Sequence, residues 1–385
     1  MTVETLLFGI AILIVLAKVF GEIAERFGFS ALIGEVIAGI VLGPSLLKIV
    51  YPSVALGAIA EIGILFLMFI FGLSAKFEES MGDNAYQAAL IAVLGGALSF
   101  FFCFIAGISL GYSTIVAITI GAALTSTALG ITVRALTEIG QFYGKVTRAL
   151  IASNVADDIF AIIVMSLFLS FVQFGSISIL DSWKVFLIVI GFFIIVLKFG
   201  SLIAEKIMDF TVKLKDQESM IAIPIVLMFA IALLSEQVKI ASITGAFLAG
   251  IILAKTKYSE TTIMPKAKTI GYGFIIPLFF AYVGLNVDLF SLKPEWLLLI
   301  FVVIAAIAGK LIGVYVGARL SGYSTTESKK MGWGMIPRAE YTMVIAQLAL
   351  IAGVITIGIH SVLVMVVVIT TIITPILIRY IYENY

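Results

Sequence analysis

Apolar runs of about twenty residues follow one another from Val3 to Tyr382, each closed by a short polar or Gly/Pro break. Nothing else in the chain limits its fold as much, because a bilayer core of about 30 Å is crossed by a helix of around 20 apolar residues. Taken as spans, the runs predict helices near 3–25, 31–49, 54–75, 84–110, 114–137, 143–173, 181–213, 218–235, 240–256, 269–287, 294–320, 329–353 and 356–382, about thirteen in all. The first run has no basic region before it and no small-residue cleavage site after it, so it reads as a mature helix. Charged residues make up only 12% of the chain, about half the share of a soluble domain. A soluble fold is excluded, and the expected class is an all-α polytopic membrane protein embedded in a lipid bilayer.

The same composition removes several chemistries. A lone cysteine, Cys103, and a lone histidine, His360, permit no intrachain disulfide, no Cys/His metal cluster and no thiol–imidazole pair. There is no GxxxxGK[ST] phosphate loop, and a formal net charge of +1 leaves no nucleic-acid footprint. The chain reads as no enzyme, with no cofactor and with neither a nucleotide nor a nucleic-acid partner.

With the N-terminus outside, the inner loops and tail would carry sixteen Lys and Arg residues and the outer loops four, Lys48, Lys184, Lys239 and Lys293. Basic residues favour the cytoplasmic side, so the expected orientation in the plasma membrane is N-terminus out, C-terminus in. Four basic residues fall inside spans. Lys18 and Lys198 lie close enough to a helix end for their stems to snorkel. Lys310 and Arg338 lie too deep for that.

The chain also repeats itself. Gly34, Gly39 and Leu42 match Gly245, Gly250 and Leu253 at an offset of 211, and Phe71-Gly72-Leu73 matches Val283-Gly284-Leu285 at 212. Corresponding spans lie seven apart, an odd number, so the second copy crosses the membrane in the opposite sense. The predicted organisation is a first inverted repeat at 1–175, a linker helix and cytoplasmic loop at 176–215, and a second inverted repeat at 216–385. Inverted repeats with interrupted helices at the midplane build secondary transporters.

Symmetry also points to the interrupted pair. The fifth span carries Thr125-Ser126-Thr127 between Gly121 and Gly130, and adding 211 to Thr125 leads to Ile336, beside Pro337 in Gly332-Trp333-Gly334-Met335-Ile336-Pro337-Arg338-Ala339-Glu340. Proline removes a backbone donor, and hydroxyls can satisfy the freed groups. Half-helix ends would then meet at mid-membrane with partial charges that need compensation.

The sixth span supplies the chemistry: Ser153-Asn154-Val155-Ala156-Asp157-Asp158 sets two adjacent carboxylates in an apolar helix. Each charge at the centre costs about 2.5 to 3.5 kcal/mol on insertion scales, which argues against a merely structural use. Carboxylate oxygens suit a hard monovalent cation and can carry protons instead. Adjacent helix positions point about 100° apart, so one aspartate faces a partner and the other water. The candidate partner is Lys310.

Together the Thr125-Ser126-Thr127 helix, the Asn154 to Asp158 stretch, the Gly309-Lys310 helix and the Pro337-Arg338-Ala339-Glu340 turn resemble the sodium/proton antiporters of the monovalent cation:proton antiporter superfamily, in particular its two-aspartate, NapA-like branch. The resemblance spans nearly the whole chain. It implies a homodimer with a rigid dimer domain and a six-helix core that moves as an elevator. It also implies that Asp158 is the principal carrier of Na⁺ (or Li⁺) and H⁺, with Asp157 the partner of Lys310. Thr125, Ser126, Thr127 and Asn154 would complete the site, Arg338 and Glu340 would support it, and exchange would be electrogenic. Ala339 departs from the glycine of many relatives. His360 reads as an interfacial residue near the outer end of the last span, and Glu35 and Glu61 as helix carboxylates with a charge partner or an interhelical bond. Potassium/proton exchange, a gated cation channel and a sodium-coupled symporter stay open as alternatives.

Overall fold

The computed structural model describes residues 3–74, 85–128, 132, 136, 145–174, 191, 196, 198–214, 216, 218–237, 242–338 and 340–384. Every regular element among them is helical. In chain order these are α1 (Val3–Arg26), α2 (Ala31–Leu42), α3 (Val54–Ser74), α4 (Ala85–Ser109), α5 (Thr114–Ala123), α6 (Lys145–Phe174), α7 (Ser219–Gln237), α8 (Ser242–Ala254), α9 (Met264–Ile270), α10 (Ile276–Leu285), α11 (Leu292–Leu320), α12 (Thr325–Gly334), α13 (Glu340–Ile351) and α14 (Ile357–Asn384). Within the segment expected to link the repeats, residues 198–211 are helical. Seven helical stretches are long and apolar enough to cross a membrane among the described residues.

Two expected spans take a different form, and a third is interrupted as its proline predicts. The second was expected to run to 49 but ends at Leu42. Pro44 offers no N–H and disfavours helix at the residue before it, and Gly43 is extended. The apolar residues that follow fold back: the Ile49 and Val50 amides both donate to Leu42 O. The tenth begins ten residues early, at Ser259, with π-helical turns at Ser259–Ile263 and Gly271–Ile275 on either side of α9. A π-turn accommodates an extra residue without ending the helix. The twelfth is two half-helices, α12 and α13.

The chain divides into two compact units, Met1–Ile10 with Ser53–Lys76 and Ser166–Phe279, and Ala11–Pro52 with Phe77–Met165 and Phe280–Tyr385. Each contains the same two packing contacts. In the second unit a Cβ at Gly34 would stand 2.1 Å from Phe20 O, and one at Gly284 would stand 2.1 Å from Val36 O and 3.0 Å from Gly39 Cα. In the first, a Cβ at Gly245 would stand 2.5 Å from Ile231 O, and one at Gly72 would stand 2.1 Å from Phe247 O and 2.9 Å from Gly250 Cα. Phe20 and Ile231, like Gly34 and Gly245, are 211 apart. Small residues let membrane helices approach this closely, where dispersion contacts replace the hydrophobic drive that lipid cannot supply.

In the second unit α4 packs along α11 through glycines. Added Cβ atoms at Gly309, Gly313 and Gly317 would meet the backbone of Leu98, Leu94 and Ile91 at 2.4 to 2.8 Å. That seam carries Ser99 and Lys310 to mid-helix, against α5 and α6.

Candidate cation site

The site is built where α5 stops. Its last regular residue is Ala123, and the last four carbonyls of any α-helix lack an intrahelical partner. Here Ala123 O and the three carbonyls that follow it, beyond the helix end, each receive a side chain from another stretch of the chain. Thr342 Oγ1 donates to Ala123 O at 2.7 Å, Ser99 Oγ to Leu124 O at 2.7 Å, Lys310 Nζ to Thr125 O at 2.8 Å and Arg338 Nη1 to Ser126 O at 2.5 Å. Two of the four donors are cations, which suits the negative end of a helix dipole.

The second break crosses the first. After Gly334 the backbone leaves the helix through Met335, Ile336, Pro337 and Arg338, and the Ala128 amide donates to Pro337 O at 2.8 Å. Thr132 Oγ1 donates to Gly334 O at 2.6 Å and Thr127 Oγ1 to Met335 O at 3.2 Å. Thr370 Oγ1 accepts from the Arg338 amide and Thr371 Oγ1 donates to Arg338 O. All of these donors are neutral, so among the described residues the cations gather at the other C-terminal end. Where the chain becomes helical again, Glu340 places an acidic side chain in the first turn of α13, the polarity a helix N-terminus favours. Ala339 and most of the continuation of the first broken span lie outside the described residues.

On α6 the two aspartates part as their spacing requires. Asp157 is wholly buried and its Oδ1 accepts from Lys310 Nζ at 2.6 Å, with the lysine equally buried. Asp158 is half-buried, and its Oδ2 accepts from Asn154 Nδ2, one turn earlier, at 3.3 Å. Ser153 shares the face of Asp157 and Asn154 that of Asp158, each four residues apart. Ser126 Oγ, Ser153 Oγ, Asn154 Oδ1 and Asp157 Oδ2 are buried without a hydrogen-bond partner. Buried oxygens left unpaired are costly, and uncharged oxygens beside a carboxylate are the ligands hard cations take. The donor set fits a transported monovalent cation. Among the described residues no three His, Cys, Asp or Glu side chains gather as a transition-metal cluster.

Comparison with known proteins settles the lineage. The family described as sodium/hydrogen exchanger, transmembrane, matches residues 10–383. The chain belongs to the sodium/hydrogen exchanger family. Its relatives include the Na⁺/H⁺-K⁺ antiporter GerN of Bacillus cereus, 30% identical over 97% of this chain and 95% of that protein. Another is a Na⁺/H⁺ antiporter of Enterococcus hirae, 31% identical over 97% of each. The fold is similar to that of the sodium proton antiporter MjNhaP1 from Methanocaldococcus jannaschii, with a TM-score of 0.72 and 18% identity over 99% of this chain and 98% of that one. Members of the sodium/hydrogen exchanger family are transporters, not enzymes.

Of the positions singled out in this exchanger sequence, Thr125, Ser126, Thr127, Arg338, Lys310 and Asp157 are linked by the bonds above, and Asn154 and Asp158 adjoin them on α6. Thr125 Oγ1 turns back to Gly121 O, so it is the carbonyl of Thr125 that meets the cations. Four donors were missed: Ser99, Thr132, Thr342 and Thr371. A signal for Ser99 was available, since it lies 211 residues before Lys310. Glu35 has a charge partner, Lys18, at 3.7 Å, whereas Glu61 is exposed. His360 lies in the first turn of α14 and is wholly buried within the protein.

Outside the spans, charge fastens the ends of the second unit. Glu327 Oε1 accepts from Lys145 Nζ at 3.0 Å and its Oε2 from the Ser324 amide at 2.8 Å, and these contacts, the Ser324 N–H first, hold its carboxyl below the usual range. Asp288 is likewise held low, first by the Ser291 hydroxyl and then by the Phe290 amide. Tyr112 OH donates to the Glu295 carboxylate.

Proposed function

We propose that this protein is a secondary sodium/proton antiporter in which one Na⁺ (or Li⁺) and protons compete for the carboxylate site at the crossing of the two broken helices. The observation that carries this reading is the division of labour on α6: Asp157 locked to Lys310 at 2.6 Å in the dry interior, and Asp158 half-buried beside the free carbonyl of Asn154. Asp158 takes a cation when ionised and a proton otherwise, while Ser126, Asn154 and the second oxygen of Asp157 offer uncharged or shared ligands. Opening the Asp157–Lys310 pair lets a second proton move with each cycle, which makes exchange electrogenic.

Alternating access of the elevator type moves the crossing between the two faces. The chain works as a homodimer in the plasma membrane, N-terminus out and C-terminus in, supported by the distribution of Lys and Arg. The division into repeats at 1–175 and 216–385 about a linker at 176–215 is supported by the glycine contacts that recur at the repeat offset. The decisive assay uses purified protein in sealed vesicles holding a pH gradient. Sodium added outside collapses the gradient for the wild type and fails to do so for Asp158→Asn. Cation flux without proton movement would favour a channel and sink the proposal.

Potassium is the second reading. GerN carries both Na⁺ and K⁺ in its name, and oxygen ligands alone do not fix cation size. Substituting K⁺ for Na⁺ in the same vesicles separates the two.

A further inference from the structure

Ser99 is wholly buried at mid-α4, at the seam where a Cβ on Gly309 would stand 2.8 Å from Ser99 Cα. Its hydroxyl donates to Leu124 O at 2.7 Å and accepts from Arg338 Nη2 at 2.8 Å. A serine has one proton to give, so the bond to Leu124 O fixes which side of the oxygen faces the arginine. A guanidinium is a rigid planar fork. Two contacts on Nη2, Ser99 Oγ and Ala306 O at 3.0 Å, therefore set the plane in which Nη1 reaches Ser126 O at 2.5 Å and Thr125 O at 3.4 Å. Arg338 Nε has no partner, so among the described residues it is these contacts that aim the group. Thr125 O is also the carbonyl that Lys310 Nζ holds at 2.8 Å. The direction of the guanidinium decides how much of that carbonyl is left to the lysine.

We infer that Ser99 is a positioning residue for exchange: its hydroxyl aims Arg338 across the end of α5 so that Thr125 O stays available to Lys310 while that lysine holds and releases Asp157. The inference rests on the carboxylate reading above. Its test compares wild type, Ser99→Ala, Ser99→Thr and Asp158→Asn in proteoliposomes, with exchange measured against Na⁺ concentration and pH and the melting temperature of each protein recorded. Losing a hydrogen bond to a charged group should cut Ser99→Ala turnover about tenfold, with the Na⁺ KM within about twofold of wild type. The acid limb of its pH profile should move to lower pH by about half a unit, because a freed guanidinium turns toward the carboxylates and opposes protons there. Ser99→Thr, which keeps the hydroxyl, restores the profile. A Ser99→Ala protein with lowered melting temperature but the wild-type pH profile overturns the inference, and so does a Ser99→Thr profile matching that of Ser99→Ala. Exchange that survives Asp158→Asn overturns the carboxylate reading and this inference with it, whereas exchange lost there but intact in Ser99→Ala overturns this inference alone.

Discussion

Replacing Lys310 by glutamine leaves Asp157 buried without its partner, and Asp157→Asn does the same to the lysine, since both side chains are wholly buried 2.6 Å apart. Breaking a buried pair from one side costs about 3 to 5 kcal/mol, because an uncompensated charge stays behind. With an unfolding entropy of about 2 cal/mol/K per residue over 385 residues, each single variant should melt about 4 to 6 °C below wild type. The double variant, Lys310→Gln with Asp157→Asn, puts two neutral amides where the charges were. It should therefore regain most of the loss and melt within about 2 °C of wild type, because replacing both partners of a buried pair is often close to neutral. Melting of the detergent-purified proteins, followed by tryptophan fluorescence and by the fraction that stays monodisperse on size exclusion, measures the cycle. A double variant that melts as low as the two losses added together would mean that the residues act independently. The reasoning from their geometry would then be wrong, whatever the transport data say.

Two further outcomes follow from packing and from charge. Gly284→Ala and Gly250→Ala each drive a Cβ to within 2.2 Å of a backbone oxygen of the crossing helix, Val36 O and Phe69 O respectively, and should abolish folded yield. Gly273→Ala meets nothing within 4 Å and should melt at or slightly above wild type, since alanine is favoured over glycine in a helix by about 0.5 to 1 kcal/mol. The depressed carboxyl of Glu327 contributes stability that is fully present above its ordinary value of 4.5 and is lost as pH falls through its folded value. Glu327→Gln should accordingly melt lower than wild type at neutral pH and show a flatter melting curve below about pH 5, as a pH series of melts would record.

The breaks were legible because their causes are local. Pro337 and the glycines before it cannot continue a helix, and the repeat offset carries that break onto the hydroxyl triplet at Thr125 to Thr127. A lysine as deep as Lys310 needs an anion, and the tandem aspartates were the anions at hand. The hydroxyls that close the site were not legible, because hydroxyls in membrane helices most simply bond the carbonyl one turn back. Thr119, Thr374 and Ser361 do that, to Ile115 O, Thr370 O and Ile357 O. Only the assembled packing separates these from Ser99, Thr132 and Thr342, which reach across to another element. The shortened α2 has a similar origin: the apolar run through Val50 hides the stop that Gly43-Pro44 imposes.

Four carbonyls in a row, each gripped by a different stretch of chain, act as a rivet. Were α4, α13 or the turn at Arg338 to slide away alone, it would strip one oxygen of its side-chain donor in a place where lipid and protein offer no water as a substitute, and α11 would take with it the nearer donor of Thr125 O. The stroke proposed above, which would turn Asp158 from one aqueous side to the other, would carry those segments as a single piece.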